Sequence, residues 1–327
     1  MLRAKQARIA LLGALLLGAQ AFAVVGRAAA TPAETELSIR LTIGAEGDDV
    51  VLHRPAHLTW SADGSAFLLN TGDCSVLKFD RNWALQDTFG RRGEGPGEIM
   101  NPRGLLVVAH EIWVVLPLLI QKFDLSGTFV GTVPVQEGFS APILIRDQIL
   151  ALGESSARVA VCLNEQGTPT ETFGPSCNRE DHATNHIQCG FWQILPAARA
   201  RCLLLDRFTG RGRYITLSGE MTASLDLGLG DGNASSAQSD FDVVYAQPVV
   251  ASACAARNGY LVVPVPKKEG DAPVLRYYDS AFTDFCDIPL PSDMIPYELH
   301  ISPSGDLCVV DTWSSVLYIC DLPDCRN

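Results

Sequence analysis

The stretch FGRRGEGPGEIMNPRGLLV, Phe89 to Val107, decides how this chain is read. It is a glycine-rich connection between two runs read as alternating apolar and polar residues. Immediately before it lies AFLLNTGDCSVLKFD, Ala66 to Asp80, which reads as two strands joined through Thr71-Gly72-Asp73. Glycine and aspartate suit such a turn: one accepts positive φ, the other bonds its own backbone. Near the far end the phrase returns as LCVVDTWSSVLYICD, Leu307 to Asp321.

Working outward, the chain divides into groups of four short strands. The first group is His57–Trp60, Ala66–Asn70, Ser75–Phe79 and Leu85–Phe89, with Ser61-Ala62-Asp63-Gly64 as a hairpin turn. The turn at Asp80 recurs near residues 124, 164, 218, 279 and 321, a period of about 48 residues. Four strands per unit at that period predict a β-propeller. The sixth group has only three strands, Glu298–Ser302, Asp306–Val310 and Val316–Cys320. An orphan strand, ELSIRLTIG, precedes the first group, with Leu37, Ile39, Leu41 and Ile43 alternating against polar residues. The fold expected is therefore all-β, a six-bladed propeller of four-stranded blades. The N-terminal strand would complete the last blade and leave no open sheet edge at the seam. A two-sheet sandwich also has many short strands, but it gives no reason for the repeated turn.

The two phrases and the loop together resemble the NHL-type repeat of β-propellers, a strand-turn-strand hairpin followed by a glycine-rich "GxGpGeF-xPxG" connection. The resemblance is specific in blade one and in blade six. Blade two keeps KFDLSGTF, and blades three to five match in rhythm only. Asn70 replaces the Asp usual in that repeat, and Asp311 keeps it; both are read as closing their turn by side-chain hydrogen bonds. The resemblance implies a structural role for the blade-one loop. It also implies two functional classes: binding scaffolds, and exported metal-dependent lyases or hydrolases, such as peptidyl-amidating lyases and lactonase-like enzymes, with a metal in the central channel.

Residues 1–23 read as a targeting segment: Arg3, Lys5 and Arg8, an apolar run from Ile9 to Leu17, and Ala21-Phe22-Ala23 as a cleavage site. Ala28-Ala29-Ala30 is a second candidate site, which would end the segment at 30. An uncleaved anchor is the alternative, although Ile9 to Val25 is short for a bilayer span. Residues 24–35 would be a lead segment and 36–327 one propeller domain. These features predict export to a periplasmic or extracellular compartment, with no stable membrane insertion after cleavage.

The formal charge is −12; the first 23 residues hold three positive and no negative charges, so the remainder carries −15. Such a chain repels phosphate backbones, which disfavours nucleic acid as a partner. The expected partner is a protein, peptide or glycan, met by a monomer. Ten cysteines in an exported chain predict some disulfides, others being small apolar residues buried in strands.

In a propeller the connections between blades share one face with those between each blade's second and third strands. That face receives the long segments Gly90–Pro102, Gly174–Trp192, Gly228–Gln247, Pro264–Pro273 and Pro289–Tyr297; the opposite face has only tight turns. Long loops in compact domains carry function, so Arg91, Arg92, His182, His186, Trp192 and Tyr245 are expected on the ligand-binding face. Within CNREDHATNHIQC, Cys177, His182, His186 and Cys189 offer either a zinc set or a Cys177–Cys189 disulfide. Asp231, Asn233, Asp240 and Asp242 offer oxygen to calcium, without EF-hand spacing; a solvated loop is the plainer expectation. His57 and His300 lie in the innermost strands of blades one and six, which would be neighbours, and are the candidate channel metal ligands. No Ser/His/Asp set or zinc-protease motif singles out a catalytic centre. The function expected is an exported binding or scaffold propeller, with the metal-dependent lyase or hydrolase as the alternative.

Overall fold

A computed structural model of the chain describes residues 29–32, 37–135, 138–153, 158–176, 192–230, 233–237, 243–266 and 271–322. Two strands come first, β1 (Ala29–Pro32) and β2 (Ser38–Ile43). Blade one is β3 (Pro55–Trp60), β4 (Ala66–Asn70), β5 (Ser75–Phe79) and β6 (Leu85–Phe89). Blade two is β7 (Gly104–Val108), β8 (Glu111–Val115), β9 (Leu119–Asp124) and β10 (Phe129–Pro134). Blade three is β11 (Phe139–Ile145), β12 (Gln148–Gly153), β13 (Arg158–Leu163) and β14 (Pro169–Ser176). Blade four is β15 (Trp192–Ala197), β16 (Arg201–Asp206), β17 (Arg211–Thr216) and β18 (Met221–Asp226). A separate hairpin, β19 (Asn233–Ala237) and β20 (Val243–Gln247), comes before blade five: β21 (Val250–Ala256), β22 (Gly259–Pro264), β23 (Val274–Asp279) and β24 (Asp284–Pro289). Blade six contributes β25 (Glu298–Ile301), β26 (Leu307–Asp311) and β27 (Val316–Asp321).

The strand β2 pairs antiparallel with β27, so blade six has the order β2-β27-β26-β25. The ring closes as the orphan strand required. Closure depends on a close backbone approach: a side chain at Gly44, where φ is +88°, would meet the Ser315 carbonyl oxygen at 2.7 Å. The alternation expected of β2 holds only at its ends. Leu37 and Ile43 are buried, but a register shift between Ile39 and Leu41 leaves both of those at the surface. An outermost strand has no further neighbour to cover its bulge.

The first strands of successive blades, β3, β7, β11, β15, β21 and β25, touch one another around the ring and line the central channel. Six apolar clusters fill the six spaces between neighbouring blades. In β4, Ala66 and Leu68 pack towards blade six, whereas Phe67 and Leu69 pack towards blade two. A strand covered on both faces is apolar throughout, which is why AFLLN and LCVV show no alternation. Cys74, Cys162, Cys202, Cys254, Cys308 and Cys320 are buried free thiols in these layers. Cys286 is disulfide-bonded.

Two features depart from the expected plan. The lead segment is not featureless: β1 adds a parallel fifth strand to the outer edge of blade five, with Thr31 opposite Cys286. The segment 228–247 is not a simple loop, since β19 and β20 pair in register from Asn233–Gln247 to Ala237–Val243. Among the described residues no helix is long and apolar enough to cross a membrane.

Candidate functional site

The residues that meet at the channel are His57, Glu298 and His300. Glu298 and His300 are two apart in β25, so their side chains leave the same face. His57 lies in β3, where the register with β4 shifts between Ala56 and Leu58. Its φ is +55°, an uncommon conformation for a residue with a side chain. The bulge frees its backbone N–H from the ladder and turns it to the neighbouring blade. There it donates to Glu298 Oε2 at 2.6 Å, while the ring Nδ1 lies 3.0 Å from Glu298 Oε1. On the other side His300 Nε2 lies 3.1 Å from Glu298 Oε2, and the His300 ring meets Trp60 edge-to-face at 6.0 Å. The same pairing of positive φ and a register shift recurs at Ala141 in the inner strand of blade three, so what sets His57 apart is the carboxylate it meets and not its backbone.

The electrostatics follow from this packing. The side chains are 23% exposed at His57, 16% at Glu298 and 25% at His300. Burial opposes the charge on Glu298, yet His57 and then His300 hold its carboxyl well below the usual range. Burial likewise opposes the His57 imidazolium, and Glu298 outweighs it, raising the His57 pKa above the ordinary histidine value. With the carboxylate ionised, the ring nitrogens facing it carry hydrogens. Arg207, in the turn between β16 and β17, adds positive charge felt at Glu298. Its guanidinium donates to the carbonyls of Val250 and Ala251 at the start of blade five's inner strand. Such a set can hold a polar group of a ligand or move a proton at it.

The two channel histidines are thus brought together, but through Glu298, which the sequence reading passed over. For a metal the arrangement is a poor fit. Both imidazoles turn a nitrogen to the carboxylate at hydrogen-bond distance, instead of converging with it on a common point. Among the described residues no group of three or more His, Cys, Asp or Glu is disposed to hold a cation.

The other expected residues are scattered. Arg91 is ion-paired with Glu98 at 2.9 Å, and Arg92 donates to the Gly72 carbonyl at 2.7 Å. The buried Gln121 closes the same loop from blade two: it donates to the Gly95 and Glu98 carbonyls and accepts from Gly97 N–H. Both arginines therefore brace the loop while staying at its surface, the Arg91 side chain 81% exposed. Trp192 begins β15 and packs against the apolar layer between blades three and four, so it serves the core and not a loop tip. Tyr245 lies in β20, opposite Ser235. His182, His186, Cys177 and Cys189 lie outside the described residues, as do Asp231, Asp240 and Asp242 of the calcium reading; Asn233 begins β19.

Around the channel mouth, the long-loop face carries exposed apolar side chains. Val51, Leu118, Ile295, Tyr297 and Trp313 are exposed, Trp313 the most at 71%. All five lie in connections on that face, and all except Leu118 lie in connections that enter or belong to blades six and one.

No protein-family model matches the chain, and no curated protein is similar enough to count as a relative. Solved structures do resemble it. A Bacteroides fragilis protein named as a candidate exported protein superposes with a TM-score of 0.55 at 11% identity, covering 91% of this chain and 98% of that one. Virginiamycin B lyase from Staphylococcus aureus gives 0.53 at 9% identity, covering 88% of this chain and 100% of that one. The Cps50 (Swd1) propeller domain of Myceliophteria thermophila gives 0.54 at 10%, covering 88% and 100%. Identities this low bear on fold alone, and the fold they share with this chain is the β-propeller.

Proposed function

We propose that this chain is an exported, NHL-type propeller that binds a protein or peptide on its long-loop face, over the sector of blades six and one. The observation that carries the reading is the grouping of Val51, Ile295, Tyr297 and Trp313 on one face. Exposed large apolar groups gathered on one sector mark an interaction surface, and aromatic anchors dominate such interfaces. The aliphatic members favour a polypeptide over a glycan, because a sugar offers little that Val51 or Ile295 would cover. His57, Glu298 and His300 supply the polar floor. Export rests on the basic and apolar pattern of residues 1–23, and the propeller named as a candidate exported protein is consistent with it.

A photo-crosslinking residue at Trp313, in protein purified from the envelope or medium, should label a partner. The same residue at Ser126, in the β9–β10 turn of the opposite face, should label none. Equal labelling from both faces would refute this placement.

A second reading is favoured by one observation, the paired imidazoles on an ionised carboxylate. It is a lyase or hydrolase in which His57 takes or gives a proton at the channel mouth, an activity class that virginiamycin B lyase carries on the same fold. Turnover of a small substrate that disappears in His57→Gln would establish it, and turnover that survives the substitution would exclude His57 from it.

A further inference from the structure

Beyond the long-loop face, we infer that the opposite face holds a second binding site, a cavity between blades one and six shaped for a single neutral sugar ring. The face was expected to hold only tight turns. Instead, the turn at Ala62–Gly64 of blade one, the turn at Ser302–Ser304 of blade six and the turn at Asp80–Trp83 enclose a cavity of about 290 Å³. That lies at the small end of ligand pockets, about 300–1,000 Å³, and it suits one ring better than a chain.

Two indoles, Trp60 and Trp83, form its apolar wall. Each is fixed from behind by another ring. Trp60 meets His300 at 6.0 Å and Trp83 meets Phe79 at 6.2 Å. The polar lining carries both signs. Asp63 is held down to about 2 by the Ser61 hydroxyl and the Ser65 N–H, so it is ionised at any working pH. Arg81 donates from Nε to the Asp63 carbonyl and stands beside it. A bare anion would face the carboxylates of Asp63 and Asp80, and a bare cation would face Arg81. A neutral polyhydroxylated ring is repelled by neither: its C–H face lies on indole, and its hydroxyls can donate to carboxylate and accept from guanidinium.

The turns that build the cavity are the ones the chain repeats. Ser61 bonds Asp63, and Ser302 bonds Ser304 and Asp306, so the same hydroxyl-carboxylate latch rigidifies both sides. Trp60 also connects the cavity to the channel, since the ring that lines one touches His300 in the other.

The test is saturation-transfer NMR on the full chain with four separate probes: the methyl pyranosides of glucose, mannose, galactose and N-acetylglucosamine. At least one should give a saturable signal. Ala62→Trp, which fills the mouth from an exposed position, should abolish it, and Trp60→Leu should weaken binding by at least about tenfold. If Trp60→Leu is poorly folded by near-ultraviolet circular dichroism, the Ala62→Trp result decides. Trp313→Ala, on the other face, should leave the signal intact, so failure here is separable from failure of the partner surface. Silence from all four probes on the wild-type protein, an undiminished signal in Ala62→Trp, or displacement by tetramethylammonium would overturn the proposal.

Discussion

Glu298 grips His57 at two points, accepting its backbone N–H at 2.6 Å on one oxygen and facing its ring Nδ1 at 3.0 Å on the other. The contact crosses the seam where the first and last blades meet. It is therefore both a chemical group at the channel mouth and a clasp on the ring. Replacing Glu298 with Ala leaves a part-buried N–H and the imidazoles of both His57 and His300 without their acceptor, at a cost of about 1–3 kcal/mol or more. Glu298→Gln should cost less, because the amide oxygen can still accept one of the two bonds. Chemical denaturation of the three proteins at one pH ranks them.

The clasp should also depend on pH, and the sign follows from the two shifts. The His57 pKa is raised in the folded protein, so its contribution is complete below the unfolded value of 6.5 and is lost as pH rises through the folded one. The Glu298 pKa is lowered, so its contribution is complete above 4.5 and is lost as pH falls through the folded value. The coupling between the two residues should peak between those limits. A double-mutant cycle with His57→Gln and Glu298→Gln should give its largest coupling near pH 5.5, less at pH 8 and less at pH 3. A coupling independent of pH would mean that no ionised pair exists there.

Ring closure by β2 sets a second expectation. Removing residues 36–43 strips the partner from Val316–Asp321 and uncovers apolar surface that Leu37 and Ile43 close. An open strand edge recruits other chains. The truncated protein should melt well below the intact one and elute as oligomers on size exclusion; unchanged melting and a monomeric profile would show that β2 is dispensable.

The cysteines divide by burial. Burial pushes the thiols of Cys202, Cys254 and Cys320 up to about 12 and that of Cys162 to about 11. A thiol so held is almost wholly protonated at neutral pH, and the thiolate is the nucleophile. Native protein should leave these four unlabelled by iodoacetamide, and denatured protein should label all of them. Among the described residues six thiols are free and Cys286 is disulfide-bonded; if Cys177 and Cys189 pair as the sequence suggests, Cys325 is the cysteine that remains for Cys286. Non-reducing peptide mapping should recover both linked pairs, and a Cys177–Cys286 or Cys189–Cys286 peptide would exclude this assignment.

What the chain discloses before folding is what repeats. A turn returning at a fixed interval reveals the blades, and a three-strand last group reveals the closure by Leu37–Ile43. The pairing of His57 with His300 follows from the ring once its first and last members are neighbours. Glu298 was legible in principle, since its two-residue spacing from His300 places both on one face of an inner strand, but the histidines drew the reading past it. The bulge at His57 was not legible, because Ala56 and Leu58 fit an unbroken strand equally well. The parallel pairing of Ala29–Pro32 was hidden for another reason: an edge strand of small residues carries no alternation to mark it. The same holds for Asn233–Ala237, whose polar and small residues read as loop. The cavity behind Trp60 escaped because two tight turns on neighbouring blades, each unremarkable alone, enclose space only when the ring brings them together.

Asn70 and Asp311 occupy matching turns, and their difference leads to a reciprocal prediction. Each takes a backbone N–H from the connection that enters its blade: Asn70 Oδ1 from His53 at 2.6 Å, Asp311 Oδ2 from Ile295 at 3.0 Å. Asn70 then donates through Nδ2 to Asp73 at 2.9 Å. Asp311 instead accepts again, from the N–H groups of Trp313 and Ser314. The first site needs one donor and one acceptor, and the second needs acceptors only. Asn70→Asp would set two carboxylates against each other, so its stability deficit should be large at pH 7 and shrink as pH falls below about 4, where carboxylates protonate. Asp311→Asn would turn an amide N–H2 against backbone donors and strand at least one of them. Its deficit, about 1–3 kcal/mol, should persist above pH 5, and no pH in that range should restore it. Because Asp311 also sets the turn that presents Trp313, Asp311→Asn should weaken capture of the partner as well, whereas Asn70→Asp should spare it. If both variants lose stability in parallel across the whole pH range, the opposite hydrogen-bond roles assigned to these matching positions are wrong.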